Sequence, residues 1–401
     1  MEIFKSKLPI NSQRYLLIIK LIRSKGGSAR LVGGVVRDAL VDVNNEDIDI
    51  ATDLKPEQVI DLLQQNNIRV VPTGIKHGTV SAIIRDETFE ITTLRQDISC
   101  DGRRAEVEFS DDFQADAARR DFTINALSYC PIDHKIYDYF NGVHDLEKQK
   151  VVFIGNADDR IQEDYLRILR FFRFSCRFAQ TIDQNDLKAC IRHKYQLNTL
   201  SRERIKSEMD KILPLGNSSE YLSIMSESSI LYELFPLAEY NDLLHLDIVK
   251  ISKLYQSPVS LCTIYAMLFV NSKMTKIDFL NLRFSKTEAS CIIKLINLYQ
   301  LKTIDILSKL KHLWLDNQVF VDYFIFASAI SDYSQSIDNL YKTLTSIDKP
   351  KLPINGNDLI KLGLINAKLG RVLALLKQEW IDSNFTLQKN DLINLVPKYA
   401  Q

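Results

Sequence analysis

The sequence has no excess charge of either sign: Lys plus Arg and Asp plus Glu each number 51 among 401 residues. A polyanion is then attracted only where basic residues gather locally. No Cys-x-x-Cys pair is present, and the six cysteines at 100, 130, 176, 190, 262 and 291 have no histidine cluster beside them. Structural zinc is therefore not expected. The longest strongly apolar stretch, Val259 to Val270, is well short of the ~20 residues that cross a bilayer, so no membrane partner is expected. The opening MEIFKSKLPI lacks the apolar core of a secretory signal. A reduced, cytoplasmic location follows as an expectation, with the cysteines as small core residues. Neither a Walker phosphate loop nor a dinucleotide glycine fingerprint occurs, which removes the two commonest nucleotide-binding folds. Fixed-period repeats and low-complexity tracts are also missing.

What is present is an ordinary globular composition, 46% hydrophobic and 25% charged, in a chain long enough for two to four domains at roughly 100 to 200 residues each. The first ~140 residues mix helix with β-branched runs, among them LVGGVV (31–36), IDIAT (48–52), TVSAII (79–84) and FEITTL (89–94). From about Ala157 onward the apolar spacing becomes helical, as in EDYLRILRFFRF and ERIKSEMDKIL. The fold class expected is α+β, a mixed-sheet head followed by all-α parts. Turn-rich breaks stand at Pro214-Leu215-Gly216, Ser257-Pro258 and 352–358; the division expected is 1–145, 146–215, 216–330 and 331–401, of which only the boundary at 215 coincides with a break.

The chemistry gathers in two places. Leu31 to Asp38 is an apolar strand that breaks at Gly33-Gly34 into a helix bearing Arg37. Paired glycines let backbone N–H groups approach a phosphate, and an arginine on the first turn offers a bidentate donor. Downstream, Asp47-Ile48-Asp49-Ile50 alternates acid with apolar, so on a strand both carboxylates share one face and the isoleucines enter the core. Adjacent hard oxygen ligands suit Mg²⁺, and two such ions assist phosphoryl chemistry. Each feature alone fits an ordinary turn or a solvated edge; in this order and spacing they point together to metal-assisted phosphoryl chemistry. Glu90, on the strand FEITT, is either a third carboxylate on the same face or an ordinary exposed strand acid.

The second place is 160–177, which carries arginines at 160, 167, 170, 173 and 177 against only Glu163 and Asp164. Taken as one helix at about 100° per residue, the last four share roughly a third of the circumference while Ile161, Tyr165, Ile168, Leu169 and Phe172 form another arc. Solvated faces normally interleave signs, so this face is expected to meet phosphate. Asp164 and Arg167, three apart, would stand side by side. They form either a plain intrahelical ion pair or an acceptor beside a donor fork, matched to the amino group and ring nitrogen that cytosine and adenine share.

Taken in order, Gly33 to Asp38, Asp47-Ile48-Asp49, Arg119 to Leu127, Glu163 to Arg167 and Arg204 to Leu213 resemble the motifs of the class II tRNA nucleotidyltransferases. Lys76 to Val80 and Asp101 to Arg104 look like further landmarks, and Ile354 to Leu359 with Gly363 and Gly370 is similar to a tail motif of that family. The resemblance implies a polymerase-β-type nucleotidyltransferase head with helical neck, body and tail, the tail binding tRNA. It implies template-independent addition of CCA to the tRNA 3′ end from CTP and ATP. By motif position Asp47 and Asp49 would hold two Mg²⁺ ions, with Glu90 as a further catalytic candidate. Gly33, Gly34 and Arg37 would meet the triphosphate, and Arg120 and Asp121 the sugar or phosphate. Asp164 and Arg167 would read the base, and Arg170 and Arg173 would line the pocket.

Two departures from the family pattern stand out. Leu40-Val41-Asp42-Val43 replaces a Leu-Leu-Gly turn, and Ala105 stands where a proline follows Arg104 in relatives, in a loop that the resemblance ties to the switch from CTP to ATP. His144-Asp145 lacks an upstream histidine partner, so no phosphohydrolase activity is expected. Open alternatives are a bacterial poly(A) polymerase or a CC-only or A-only enzyme on the same head, and, from another class, a noncatalytic RNA-binding protein.

Overall fold

The computed structural model describes residues 2–5, 14–45, 47–101, 104–301, 303–316, 320–331 and 334–399. The chain divides into two compact units, Met1–Pro236 and Leu237–Gln401. All described strands lie in the first: β1 (Glu2–Lys5), β2 (Ala29–Val32), β3 (Ile48–Thr52), β4 (Arg69–Gly74), β5 (Thr79–Ile84), β6 (Glu87–Thr93), β7 (Arg95–Asp101), β8 (Arg104–Phe109), β9 (Ser128–Cys130) and β10 (Lys135–Asp138). Eight form one mixed sheet in the order β1-β10-β9-β2-β3-β6-β5-β4, and β7 pairs β8 separately. Only β3 and β6 run parallel in that sheet, bringing Asp49 opposite Glu90. The expected α+β class is borne out.

Helices α1 (Arg14–Ser24), α2 (Gly34–Leu40) and α3 (Pro56–Gln65) accompany these strands. The period-2 strand pattern does the sorting: Leu31, Ile48, Ile50, Val80, Ala82, Phe89 and Ile91 are buried in one core with Ile18, Ile19 and Ile22 of α1 and Val59, Leu62 and Leu63 of α3. Each such valine, leucine, isoleucine or phenylalanine contributes about 1.5–3 kcal/mol on burial. The alternate positions of β3 and β6 are thereby left to face the other way, with Asp49 and Glu90 exposed.

Further helices are α4 (Phe113–Ala118), α5 (Gly142–Glu147), α6 (Ala157–Glu163), α7 (Leu166–Phe178), α8 (Gln184–Arg192), α9 (Arg202–Ile212), α10 (Ser218–Glu227) and α11 (Ile230–Leu234). Phe122, Phe153, Phe171 and Phe174 join the segment after α4 to α7: Phe122 lies 4.8 Å from Phe153 and 5.4 Å from Phe174 between ring centroids, and Phe153 lies 5.5 Å from Phe171. The expected body begins in this unit, with α10 and α11.

The second unit is helical throughout its described residues, from α12 (Asp242–Leu254) through α13 (Leu261–Leu268), α14 (Lys276–Asn281), α15 (Lys286–Tyr299), α16 (Thr303–Asp316), α17 (Val321–Ala329), α18 (Ser334–Thr345), α19 (Gly356–Lys361) and α20 (Asn366–Asp382) to α21 (Lys389–Tyr399). The tail-like motif has a local reason: Asn355 and Asp358 form a reciprocal capping box at the start of α19, while Ile354 and Leu359 enter a core with Val372, Leu376 and Trp380. No described helix is long and apolar enough to cross a membrane.

Candidate active site

Gly33 ends β2 with φ 70° and ψ −126° and precedes the first turn of α2. The positive φ disfavours a side chain there, and a Cβ, 2.7 Å from Nη1 of Arg120, would push that guanidinium aside. Gly34 is nearly as tight, its Cβ position lying 3.3 Å from Nδ2 of Asn45. Asp47 is exposed just before β3, Asp49 is exposed on it, and the alternating Ile48 and Ile50 are buried. The Asp49 carboxyl is pushed up to about 6 by withdrawal of water in the cleft and then by Glu90, with Arg120 opposing and Asp47 adding to the rise.

A basin of about 500 Å³ opens beside these residues, within the usual range for small-molecule sites. Its lining includes Gly33, Gly34, Arg37, Asp49, Arg120, Asp121, Asp164, Arg167 and Arg170, together with Arg119, Asn125, Leu166, Phe174 and Arg204. Asp47, Glu90 and Arg173 are not part of that lining. Six of the lining side chains are arginines and three are aspartates, so the basin has a local excess of positive charge in a chain with none overall.

Several expected donors are already engaged. Arg37 is only 4% exposed; it donates from Nε to Asp38 Oδ1 at 2.8 Å and from Nη1 to Asn125 Oδ1. The expected phosphate fork of Arg37 is thus spent inside the protein. Asp121, 6% exposed, accepts from the Phe122 backbone N–H and Asn125 Nδ2 at 2.9 Å each, and from Arg170 Nε at 2.6 Å. Burial pushes its carboxyl up, but Arg170, Asn125 and the Phe122 N–H outweigh it and hold it below the usual range. Asp121 therefore fixes Arg170 rather than presenting a free carboxylate. Arg120 donates to Asn125 O at 3.2 Å and to Asp116 at 3.4 Å.

The arginine segment differs from expectation in two respects. It is two helices, because Asp164 turns extended with φ −160° and ψ 107° after α6 and its Oδ1 accepts the Leu166 N–H at 3.1 Å. An aspartate competes for backbone donors and starts a new helix rather than continuing one. The side chains of Asp164 and Arg167 are consequently not partners: Asp164 Oδ2 binds Arg204 at 2.7 Å, and the Arg167 guanidinium binds Glu163 and the carbonyls of Arg160 and Arg119 at 2.8 and 3.2 Å. The arginine face is also not uncompensated. Arg173 Nε lies 3.0 Å from Glu208, and Arg177 lies 3.3 Å from Asp38. These acids come from α9 and α2, where helical spacing within 160–177 has no view of them.

Asn125, Arg119 and Arg204 are site residues that were not singled out by their chemistry, although all three lie within the quoted motifs. The signal for Asn125 is its place two residues after Thr123 in a short turn (Thr123–Asn125), where its amide joins Arg37 to Asp121. Gly102 and Arg103 of the expected loop landmark lie outside the described residues, as do the side chains of Lys76 and Ala105.

Residues 29–152 match the Poly A polymerase head domain, and residues 181–241 match the probable RNA and SrmB-binding site of polymerase A. The chain is 34% identical to the mitochondrial CCA tRNA nucleotidyltransferase 1 of Mus musculus, over 95% of its own length and 89% of the relative's. It belongs to the CCA tRNA nucleotidyltransferase family. A bacterial member of the family, the CCA-adding enzyme of Streptococcus uberis, is 39% identical over 53% of the chain and 52% of its own length. The fold agrees: the Bacillus stearothermophilus CCA-adding enzyme in complex with CTP superposes with a TM-score of 0.71 at 23% identity, covering 93% of each chain. As a member of this family the chain is a nucleotidyltransferase.

Among the described residues no three His, Cys, Asp or Glu side chains are grouped closely enough to hold a metal ion by themselves. The donor set still suits Mg²⁺, which takes one or two carboxylates and completes its shell with water and substrate phosphates. Asp49, with Glu90 across the parallel pair and Asp47 two residues before, offers hard oxygens on the open side of the sheet.

Proposed function

We propose that the basin of the first unit binds CTP and ATP in turn and joins them to the 3′ end of tRNA, building CCA without a nucleic-acid template. One observation carries this: a tight glycine turn, six arginines and a raised-pKa aspartate meet in one basin of a chain related along 95% of its length to a CCA tRNA nucleotidyltransferase.

In this reading Asp47 and Asp49 would hold two Mg²⁺ ions, with Glu90 a further carboxylate opposite Asp49. When bound there, the ions would neutralise the triphosphate and polarise the attacking hydroxyl. The Gly33 N–H is already donated to Leu127 O at 3.0 Å, so in this reading Gly34, at the start of α2, meets the phosphate oxygens, and Arg120 adds charge beside Gly33. Arg37, Asp121 and Asn125 act from behind by fixing Arg170, while Arg173 braces α9. Asp164 and Arg167, each held by its own partner, present an acceptor and a donor to the base edge from one wall, joined by Arg204. The four-part division into head, neck, body and tail belongs to this proposal, as does docking of tRNA on the helical tail. So does a reducing, cytoplasmic setting, supported by the five described cysteines, which are all free. A noncatalytic RNA-binding protein would have no use for the carboxylates facing the basin.

Asp49→Asn tests the assignment. Incorporation of both nucleotides should be lost while tRNA binding, measured by gel shift, is kept. Turnover comparable to the unaltered enzyme would remove Asp49 from the metal site.

A further inference from the structure

Asp47 stands outside the sheet, so strand pairing does not fix its direction as it fixes Asp49. The loop that delivers it is the one whose sequence departs from the family turn. Asn45 lies in that loop, half-buried, and its amide is used at both ends. Oδ1 accepts the Asp47 backbone N–H at 2.9 Å, and Nδ2 donates to Asp38 Oδ2 at 2.9 Å. The same Nδ2 sits 3.3 Å from the point where a Cβ on Gly34 would stand, so the amide also covers the glycine turn. Asp38 is a rigid anchor, 1% exposed and held by Arg37 at 2.7 Å and by Arg177 of α7 at 3.3 Å.

We propose that Asn45 is a positioning residue that pre-sets Asp47 for metal binding, by tying the Asp47 backbone to the buried Asp38. An acceptor two residues before a backbone N–H closes an Asx turn, which restricts the loop before any ion arrives. The donor end keeps that turn from swinging, because it is bound to a carboxylate locked on two elements. Asparagine alone supplies both functions: serine can close the turn but cannot span to Asp38, and aspartate closes the turn but opposes Asp38 with like charge. The inference rests on Asp47 being a metal ligand.

The experiment measures Mn²⁺ binding by electron paramagnetic resonance on the whole protein, with a non-hydrolysable CTP analogue present. The Mg²⁺ dependence of CMP incorporation is followed alongside. Residues that orient metal ligands typically cost 10- to 100-fold in metal affinity when removed. Asn45→Ala should weaken Mn²⁺ binding at least about tenfold and raise the half-saturating Mg²⁺ concentration in parallel, at unchanged KM for tRNA. Asn45→Ser should recover part of the loss, and Asn45→Asp should not. Asp47→Ala is the control. If it leaves Mn²⁺ binding intact, the metal-site reading itself falls. If it weakens binding while Asn45→Ala does not, Asn45 has no positioning role. An Asn45→Ala loss matched by a rise in KM for tRNA, with no rescue by serine, would mean general disorder and would equally overturn the inference.

Discussion

Asp49 and Glu90 oppose each other across the parallel strands, and the Asp49 carboxyl titrates near 6 because leaving it ionised there costs solvation and repulsion. Its folded pKa lies above the unfolded one, so its contribution to stability is full below about pH 4 and is lost as pH rises through about 6. Metal-free protein should therefore lose thermal stability across that window, Asp49→Asn should flatten the loss, and Mg²⁺ should stabilise most above pH 6. A series of melting curves against pH checks all three, and an unchanged profile in Asp49→Asn would assign the titration elsewhere. If Asp164 reads the base as proposed, Asp164→Ala removes the acceptor for an exocyclic amino group. Discrimination against UTP and GTP should shrink by about 1–3 kcal/mol, roughly ten- to a hundredfold in relative kcat/KM. Competition among the four triphosphates measures it; equal slowing of every nucleotide would make Asp164 only the anchor of Arg204.

Among the elements, α7 and the segment Asp121–Asn125 form one mechanical piece. Phe122 is fully buried between the rings of Phe153 and Phe174, while its neighbour Asp121 grips Arg170. Phe122→Ala should cost about 3–5 kcal/mol of stability by leaving a cavity, and denaturant melts would register it; a change below 1 kcal/mol would mean the cluster does not hold the segment. The strand β3 was legible in advance because its period of two sorts Ile48 and Ile50 from Asp47 and Asp49 within five residues. The arginine segment was legible only in part. Apolar spacing runs through 161–172 without a gap, so the break made by Asp164 capping α7 was hidden in it. The partners Asp121, Glu208 and Asp38 lie 49, 35 and 139 positions from the arginines they bind, beyond any local pattern.

At the scale of the molecule, a chain with no net charge keeps a cationic basin by confining it to one unit, where arginines are oriented by buried acids. Fold class was accessible from residues 29–213, where the motifs that suggest the candidate site are dense; the second unit is helical packing with little chemistry in its sequence, and only its capped motif at Asn355 stood out. In the proposed reaction one basin accepts both nucleotides in a set order. The most direct test extends a single purified tRNA lacking its 3′ end with CTP alone, ATP alone, and both, and resolves the products by length. The account predicts addition of two residues with CTP, none with ATP, and three with both. A homopolymeric tail from ATP alone would contradict it.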